Sequence, residues 1–302
     1  MTDRADIEFP GEEEATLRGW LYRPEGAEAR PRPAITMAHG FAAVKEHGLD
    51  RFARAFAQAG FVVLVHDHRG FGASDGLPRH DIDPWRQIAD WRRAISYLEN
   101  RPEVDGSRLG IWGTSYAGGH AMMLGATDRR IRCVVAQVPT ISGFEQGRRR
   151  VAPDATAALE TAFVNDERDA LNGEPRRRMA IVSGDPALAA AYRSPDAIAF
   201  YQQEDARKTW SNDVTLRSTR AARAYEPGIW VARVSPTPLL MVVALQDTIT
   251  VTDLALSAYE AALQPKRLVT IEGGHFVPYV EAFDTAGKAA IDWFVEYLRP
   301  QA

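Results

Sequence analysis

Apolar residues in this chain fall into two rhythms, short continuous runs and longer stretches with apolar positions three or four apart. Their regular exchange predicts strands and helices in turn. Ala5 to Phe9 and Thr16 to Tyr22 read as a hairpin around Gly11, and Pro24, Gly26, Pro31 and Pro33 then mark a loop. Ala34 to Ala38 is a buried-strand run that stops at His39-Gly40, and Leu49 to Ala59 carries Phe52 and Phe56 at helical spacing until Gly60. Phe61 to Val65 is β-branched, as a parallel strand covered on both faces should be. Asp83-Pro84 opens a long helix with Trp85, Ile88, Trp91, Ile95 and Leu98 expected on one face. Arg108 to Trp112 and Ile131 to Val138 are the next strands, separated by a sharp small-residue turn and a helix.

After Pro139 the rhythm changes. Thr140 to Arg233 contains no clean strand, and Thr156 to Phe163, Pro186 to Tyr192, Asp196 to Gln203 and Ser218 to Tyr225 read as helices. The alternation then resumes with a strand at Leu239 to Leu245, a helix at Thr252 to Leu263, a strand at Arg267 to Ile271 and a closing helix at Ala282 to Leu298. The expectation is an α/β fold: a mostly parallel twisted sheet flanked by helices, formed by residues 1–139 and 234–302, with residues 140–233 as a helical cap inserted over it. No internal repeat is visible.

Composition narrows the function classes. The 302 residues are 45% hydrophobic and 25% charged, ordinary for a globular chain. The net charge of -4 gives no basic field for nucleic acid. No apolar stretch reaches the roughly 18 residues of a membrane span, and the start of the chain has no secretory h-region, so a cytoplasmic enzyme fits best. Cys133 is the single cysteine and sits in an apolar run, where it reads as a small buried hydrophobe. Neither nucleic acid nor membrane is expected as a partner; a homodimer is allowed but not demanded.

The candidate chemistry starts at Ser115. In Gly113-Thr114-Ser115-Tyr116-Ala117-Gly118-Gly119 a serine stands between a strand and a helix, where a strained turn lifts its hydroxyl clear of the sheet and the helix N-terminus favours developing negative charge. Ala117 occupies a position more often filled by glycine. A serine needs a base and a group to orient that base. Of seven histidines, His275 follows a late strand through Gly273-Gly274, which selects it as the base. Asp247 follows the Leu239 to Leu245 strand, at the end where parallel sheets place their sites; its rival, Asp253, falls at a helix start. The backbone amides of Tyr116 and Phe41 are the expected oxyanion donors, with Ala42 a weaker candidate.

Together these residues resemble the α/β-hydrolase superfamily over nearly the whole chain. His39-Gly40-Phe41 is similar to its oxyanion loop, Asp67-His68-Arg69-Gly70-Phe71-Gly72-Ala73-Ser74 to its D-x-R-G-x-G-x-S turn, and the Ser115 segment to its nucleophile elbow. The Gly-Thr-Ser-Tyr string, the N-terminal hairpin and the inserted cap resemble the dienelactone-hydrolase-like and X-Pro-peptidase-like branch, which includes bacterial and fungal polyketide-associated acyl hydrolases and transferases. The resemblance implies acyl transfer through an acyl-enzyme, with a small-molecule acyl substrate (an ester, thioester or lactone) as the expected partner and without metal or organic cofactor. A serine nucleophile argues against haloalkane dehalogenase and epoxide hydrolase chemistry. Peptidase action on proline-containing peptides is a weaker expectation, since it usually comes with extra domains. An acyltransferase is the alternative within enzymes, and a silent ligand-binding member the alternative outside them.

Two features of the cap stay open. Phe144, Phe163, Tyr192, Phe200, Tyr201, Trp210, Tyr225 and Trp230 either line an acyl pocket or pack the cap on the core. The runs Arg148-Arg149-Arg150 and Arg176-Arg177-Arg178 have acids nearby, so a solvated face is expected for them.

Overall fold

The β-branched runs assemble into one eight-stranded sheet in the computed structural model, which describes residues 3–27 and 30–299. In chain order the strands are β1 (Asp3–Pro10), β2 (Thr16–Arg23), β3 (Arg32–Ala38), β4 (Val62–His66), β5 (Val104–Thr114), β6 (Ile131–Gln137), β10 (Leu239–Ala244) and β11 (Lys266–Ile271). They lie side by side as β1-β2-β4-β3-β5-β6-β10-β11. The hairpin β1/β2 joins the sheet antiparallel to β4, and every pair from β4 across to β11 is parallel.

Helices cover both faces, as fully apolar strands require. Helices α1 (Leu49–Gln58) and α9 (Phe283–Leu298) put Phe52, Phe56, Trp293 and Phe294 against Ile35, Val63, Trp112 and Val242. On the other face α2 (Pro84–Glu99), α3 (Tyr116–Thr127) and α8 (Thr252–Ala261) bring Trp91, Ile95, Ala121, Leu124 and Ala255 against Leu64, Ile111, Val134 and Met241. Residues two apart on one strand share a face, so Ala34 and Ala38 join one core and Ile35 and Met37 the other. Each fully buried aromatic or aliphatic side chain contributes about 2 kcal/mol.

Asp83 caps α2 as its position foretold, accepting from the amides of Trp85 and Arg86 at 2.9 and 3.3 Å, with Pro84 at the first helical position. Trp85 departs from expectation. It is exposed, at the first turn and off the buried stripe, and meets the edge of the Tyr225 ring.

Between β6 and β10 the chain forms α4 (Gly143–Arg150), α5 (Thr156–Leu171), β7 (Arg178–Val182), β8 (Ala190–Tyr192), α6 (Pro195–Tyr201), β9 (Val214–Thr215) and α7 (Leu216–Arg223). The expected helical cap therefore also holds a three-stranded sheet, in the order β8-β7-β9. Pro186 to Tyr192, read from its alanines as a helix, is a turn followed by β8, where Ala190 and Tyr192 pair with Ala180 and Val182. Tertiary pairing overrides alanine's helical preference there. Among the described residues no helix is long and apolar enough to cross a membrane.

Candidate functional site

Ser115 sits between β5, a central strand, and α3, with φ 56° and ψ -119°. Such a conformation costs a non-glycine residue roughly 1–3 kcal/mol and persists only where neighbours over-determine it. They do so here. The Ser115 amide donates to the Gln137 carbonyl at 2.8 Å, and its own carbonyl accepts from Gly118 and Thr140, both at 2.9 Å. The turn is tight enough that a Cβ on Gly113 would lie 2.1 Å from the Ala117 carbonyl oxygen. Alanine at 117 is buried and tolerated.

Asp247, in the loop after β10, and His275, in the loop after β11, meet this serine at the carboxyl ends of the parallel strands. His275 Nδ1 lies 2.7 Å from Asp247 Oδ2, and Nε2 lies 3.0 Å from Ser115 Oγ. An ionised carboxylate only accepts, so Nδ1 carries the proton and Nε2 accepts from the serine hydroxyl. All three side chains are buried. Burial by itself disfavours the charged Asp247. The facing His275, with the Thr250 hydroxyl and the Ile249 amide, outweighs it and holds the carboxyl down at about 2. Its Oδ1 accepts from the amides of Ile249 and Thr250 at 2.7 and 2.9 Å, and Oδ2 accepts from Thr250 Oγ1 at 2.8 Å. Asp253, the rival acid, is instead a surface group paired with Arg149 at 2.7 Å.

Phe41 follows β3, the strand beside β5, and Phe41, Ser115 and Tyr116 share the wall of one cavity of about 610 Å³. Neither the Phe41 nor the Tyr116 amide has a hydrogen-bond partner among the described residues. The Phe41 loop is fixed from two sides. From below, His39 Nδ1 donates to the Gly40 carbonyl at 3.0 Å, and buried Asp67 accepts from the amide and the ammonium of Lys45 at 2.8 and 2.6 Å. From above, the Tyr201 hydroxyl donates to the Phe41 carbonyl at 2.6 Å and the Trp210 indole to the Ala42 carbonyl at 2.9 Å. His47 completes the link, accepting from Val44 N at 3.0 Å and donating to the Tyr201 carbonyl at 3.1 Å. The Asp67-to-Ser74 turn thus supports the loop, and Ser74 Oγ donates back to the Asp67 carbonyl at 2.7 Å.

Sequence reasoning did not find Thr250 or His47, and of Tyr201 and Trp210, left open between pocket lining and cap packing, it did not foresee the hydrogen bonds to the Phe41 loop, which exist only once the cap lies on the core. The open question over cap aromatics divides. Tyr192 lines the cavity, Phe200 and Tyr201 close a small recess beside His275, and Phe144 is exposed. Among the described residues no cluster of three or more His, Cys, Asp or Glu side chains is gathered to hold a metal ion.

The family model described as X-Pro dipeptidyl-peptidase (S15 family) matches residues 15–277. The chain belongs to the S15 family. This S15-family chain is 31% identical to the quorum-quenching protein AidA of Acinetobacter baumannii, over 95% of its own length and 93% of that protein. It is 29% identical to the thiohydrolase aneE of Aspergillus aculeatus, over 97% of its length and 93% of the relative. The crystal structure of the α/β hydrolase GrgF from Penicillium superposes with a TM-score of 0.84 and 26% identity, covering 98% of this chain and 99% of that one. The α/β-hydrolase fold and the X-Pro-peptidase-like branch expected from the motifs are both borne out, and the S15-family chain is a hydrolase-type enzyme.

Proposed function

We propose that the protein cleaves a carboxylic ester, thioester or lactone of a small organic substrate through an acyl-enzyme on Ser115. The observation that carries this reading is the continuous hydrogen-bonded chain Ser115–His275–Asp247, at 3.0 and 2.7 Å, opening on a substrate-sized cavity. Ser115 Oγ attacks the carbonyl carbon as its proton passes to His275 Nε2. Asp247 keeps the imidazole in the reactive tautomer and stabilises its positive form. The amides of Phe41 and Tyr116 receive the oxyanion, a term worth about 3–4 kcal/mol per donor. His275 returns the proton to the departing alcohol or thiol, and water then repeats the sequence on the acyl-enzyme. A relative named as a thiohydrolase, aneE, supports the thioester arm of this reading.

The second reading is acyl transfer, in which an alcohol or amine replaces that water. It is supported by the relative named polyketide transferase ATR5 from Stachybotrys chlorohalonatus, 31% identical over 90% of each chain. Product analysis with both acceptors separates the two. We assign the protein to the cytoplasm on the same footing, testable by fractionation.

The experiment is a panel of p-nitrophenyl esters of rising chain length, with thioesters and lactones, on wild type and Ser115→Ala. Ser115→Ala loses nearly all turnover while keeping its fold by circular dichroism. Comparable rates in the two proteins remove Ser115 from the mechanism.

A further inference from the structure

The two arginine runs of the cap behave differently from each other at one position. Arg148 pairs with Glu145, Arg149 with Asp253, Arg176 with Asp166 and Glu167, Arg177 with Asp169 and Arg178 with Asp213. Arg150 makes no ion pair among the described residues. Though exposed to solvent, it lines the cavity above Ser115, as do exposed Arg193 and half-buried Arg223, which bond backbone carbonyls and pair with no carboxylate among the described residues. The cavity lining therefore carries three guanidinium groups and no acidic side chain, in a chain where Asp and Glu outnumber Lys and Arg 40 to 36. Composition alone accounts for the arginines; what it does not account for is the absence of any carboxylate to balance them. A cleft of one sign with low-dielectric walls concentrates ions of the opposite sign.

Arg150 and Arg223 stand on α4 and α7, two helices of the cap that pack against each other. Arg223 Nη1 donates to the Gly147 carbonyl at 3.0 Å, and its side chain lies so close that a Cβ on Gly147 would come within 2.8 Å of Arg223 Cγ. Arg150 is one helical turn beyond Gly147 on α4. Each guanidinium spends one donor on a backbone carbonyl, Arg150 on that of Ile249 at 3.0 Å, leaving most of its five N–H groups free. The Arg150 guanidinium lies 4.9 Å over the Tyr192 ring, whose centroid is 6.1 Å from that of Phe41 beside Ser115. Two successive rings, Tyr192 and Phe41, therefore lead from Arg150 to the serine along the cavity wall.

We propose that the cavity selects acyl substrates bearing an anionic group, a carboxylate or a phosphate, gripped by Arg150 and Arg223 while the reacting carbonyl lies at Ser115. This inference rests on the acyl-enzyme reading above, and its test is arranged to fail separately from it. The forked guanidinium suits a planar carboxylate or a phosphate equally, so the probes distinguish the source of charge. One arm compares mono-p-nitrophenyl suberate with its methyl ester, placing charge on the acyl chain. The other compares hexanoyl-coenzyme A with hexanoyl-N-acetylcysteamine, placing phosphate on the leaving group.

Wild type prefers the charged member of at least one pair by about tenfold or more in kcat/KM, mainly through KM. Arg150→Gln and Arg223→Gln each cut that preference about tenfold, and Arg150→Lys restores part of it. A general loss of activity lowers both members of a pair and leaves their ratio unchanged, so the ratio reports binding of the charge and not damage to the site. Equal rates for charged and neutral members in both arms overturn the proposal. If wild type turns over none of the four substrates, the acyl-enzyme reading is judged by the Ser115→Ala comparison above and not by these probes. Calorimetric titration of suberate and of coenzyme A into Ser115→Ala then still decides the inference: binding weakened about tenfold by adding Arg223→Gln supports it, and no binding of either overturns it.

Discussion

Lowering the pH from 7.5 to 5 should unfold this protein through its buried histidines, well before its carboxylates titrate. His39, His47, His66, His68 and His120 are all buried, and four of them, all but His47, meet edge to face in one cluster of rings. Ring centroids are 4.6 Å apart for His39 and His68, 5.4 Å for His66 and His68 and 5.8 Å for His68 and His120. Burial lowers every one of them: to about 4 for His39 and His47, to about 3 for His66 and His120, and well below the ordinary imidazole value for His68, where the neighbouring imidazoles add repulsion. Only the neutral forms fit the fold, whereas unfolded histidine titrates near 6.5. Stability from these groups is therefore complete above pH 6.5 and falls as the unfolded chain takes up protons below it. At pH 5 each of His39, His47, His66 and His120 removes about 2 kcal/mol, the four together about 8 kcal/mol with His68 acting in the same direction, comparable to the whole stability of a typical domain. Asp247, held near 2, adds no slope in this window. Urea unfolding followed by circular dichroism at half-unit pH steps measures the effect. The expected slope between pH 6 and 5.5 is about 5 kcal/mol per pH unit, and His66→Leu, beside Phe9 and Trp91, should flatten it by about one fifth. A total loss below about 2 kcal/mol between pH 7.5 and 5.5 refutes the reasoning.

Two further outcomes follow from the site. Asp247→Asn should keep the fold and lower kcat by about 10³–10⁴, because an amide no longer fixes the Nδ1–H tautomer of His275; a loss under about tenfold in steady-state assays would assign the orienting role elsewhere. Asp67→Ala leaves the Lys45 ammonium buried with only Glu46 at 3.0 Å, and should cost about 3 kcal/mol in urea unfolding, with a fall in kcat as the Phe41 loop loosens. Unchanged stability would mean that Lys45 finds its way to water.

The sheet and the serine–histidine–aspartate convergence were legible because each signal is local. A β-branched run bounded by glycine identifies its own strand, and a parallel sheet brings the ends of its strands to one edge whatever intervenes. Asp247 separates from Asp253 on that basis alone, since one ends a strand and the other begins a helix. The cap was less legible for the opposite reason. β7, β8 and β9 are only five, three and two residues long and exist only as partners of one another, so no single segment announces them. Arg150 is hidden by its neighbours. In the sequence it is the third member of a balanced run, and only the winding of α4 turns Arg148 and Arg149 toward acids and Arg150 toward the cavity.

That same helix explains why the cap acts as part of the site and not as a loose cover. On α4, Gln146 donates to the Thr250 carbonyl at 3.2 Å and Arg150, one turn on, to the Ile249 carbonyl. The amides of those two residues are the ones that hold Asp247 Oδ1. Across the cavity, Tyr201 and Trp210 hold the carbonyls of Phe41 and Ala42. The cap is thus fastened to the acid loop on one side and to the Phe41 loop on the other. Displacing it as a whole would disturb the orientation of the imidazole and the placement of the Phe41 amide together. Groups that meet the far end of a substrate therefore share hydrogen bonds with groups that set the geometry at Ser115, so changes in the cap wall should appear in kcat as well as in KM.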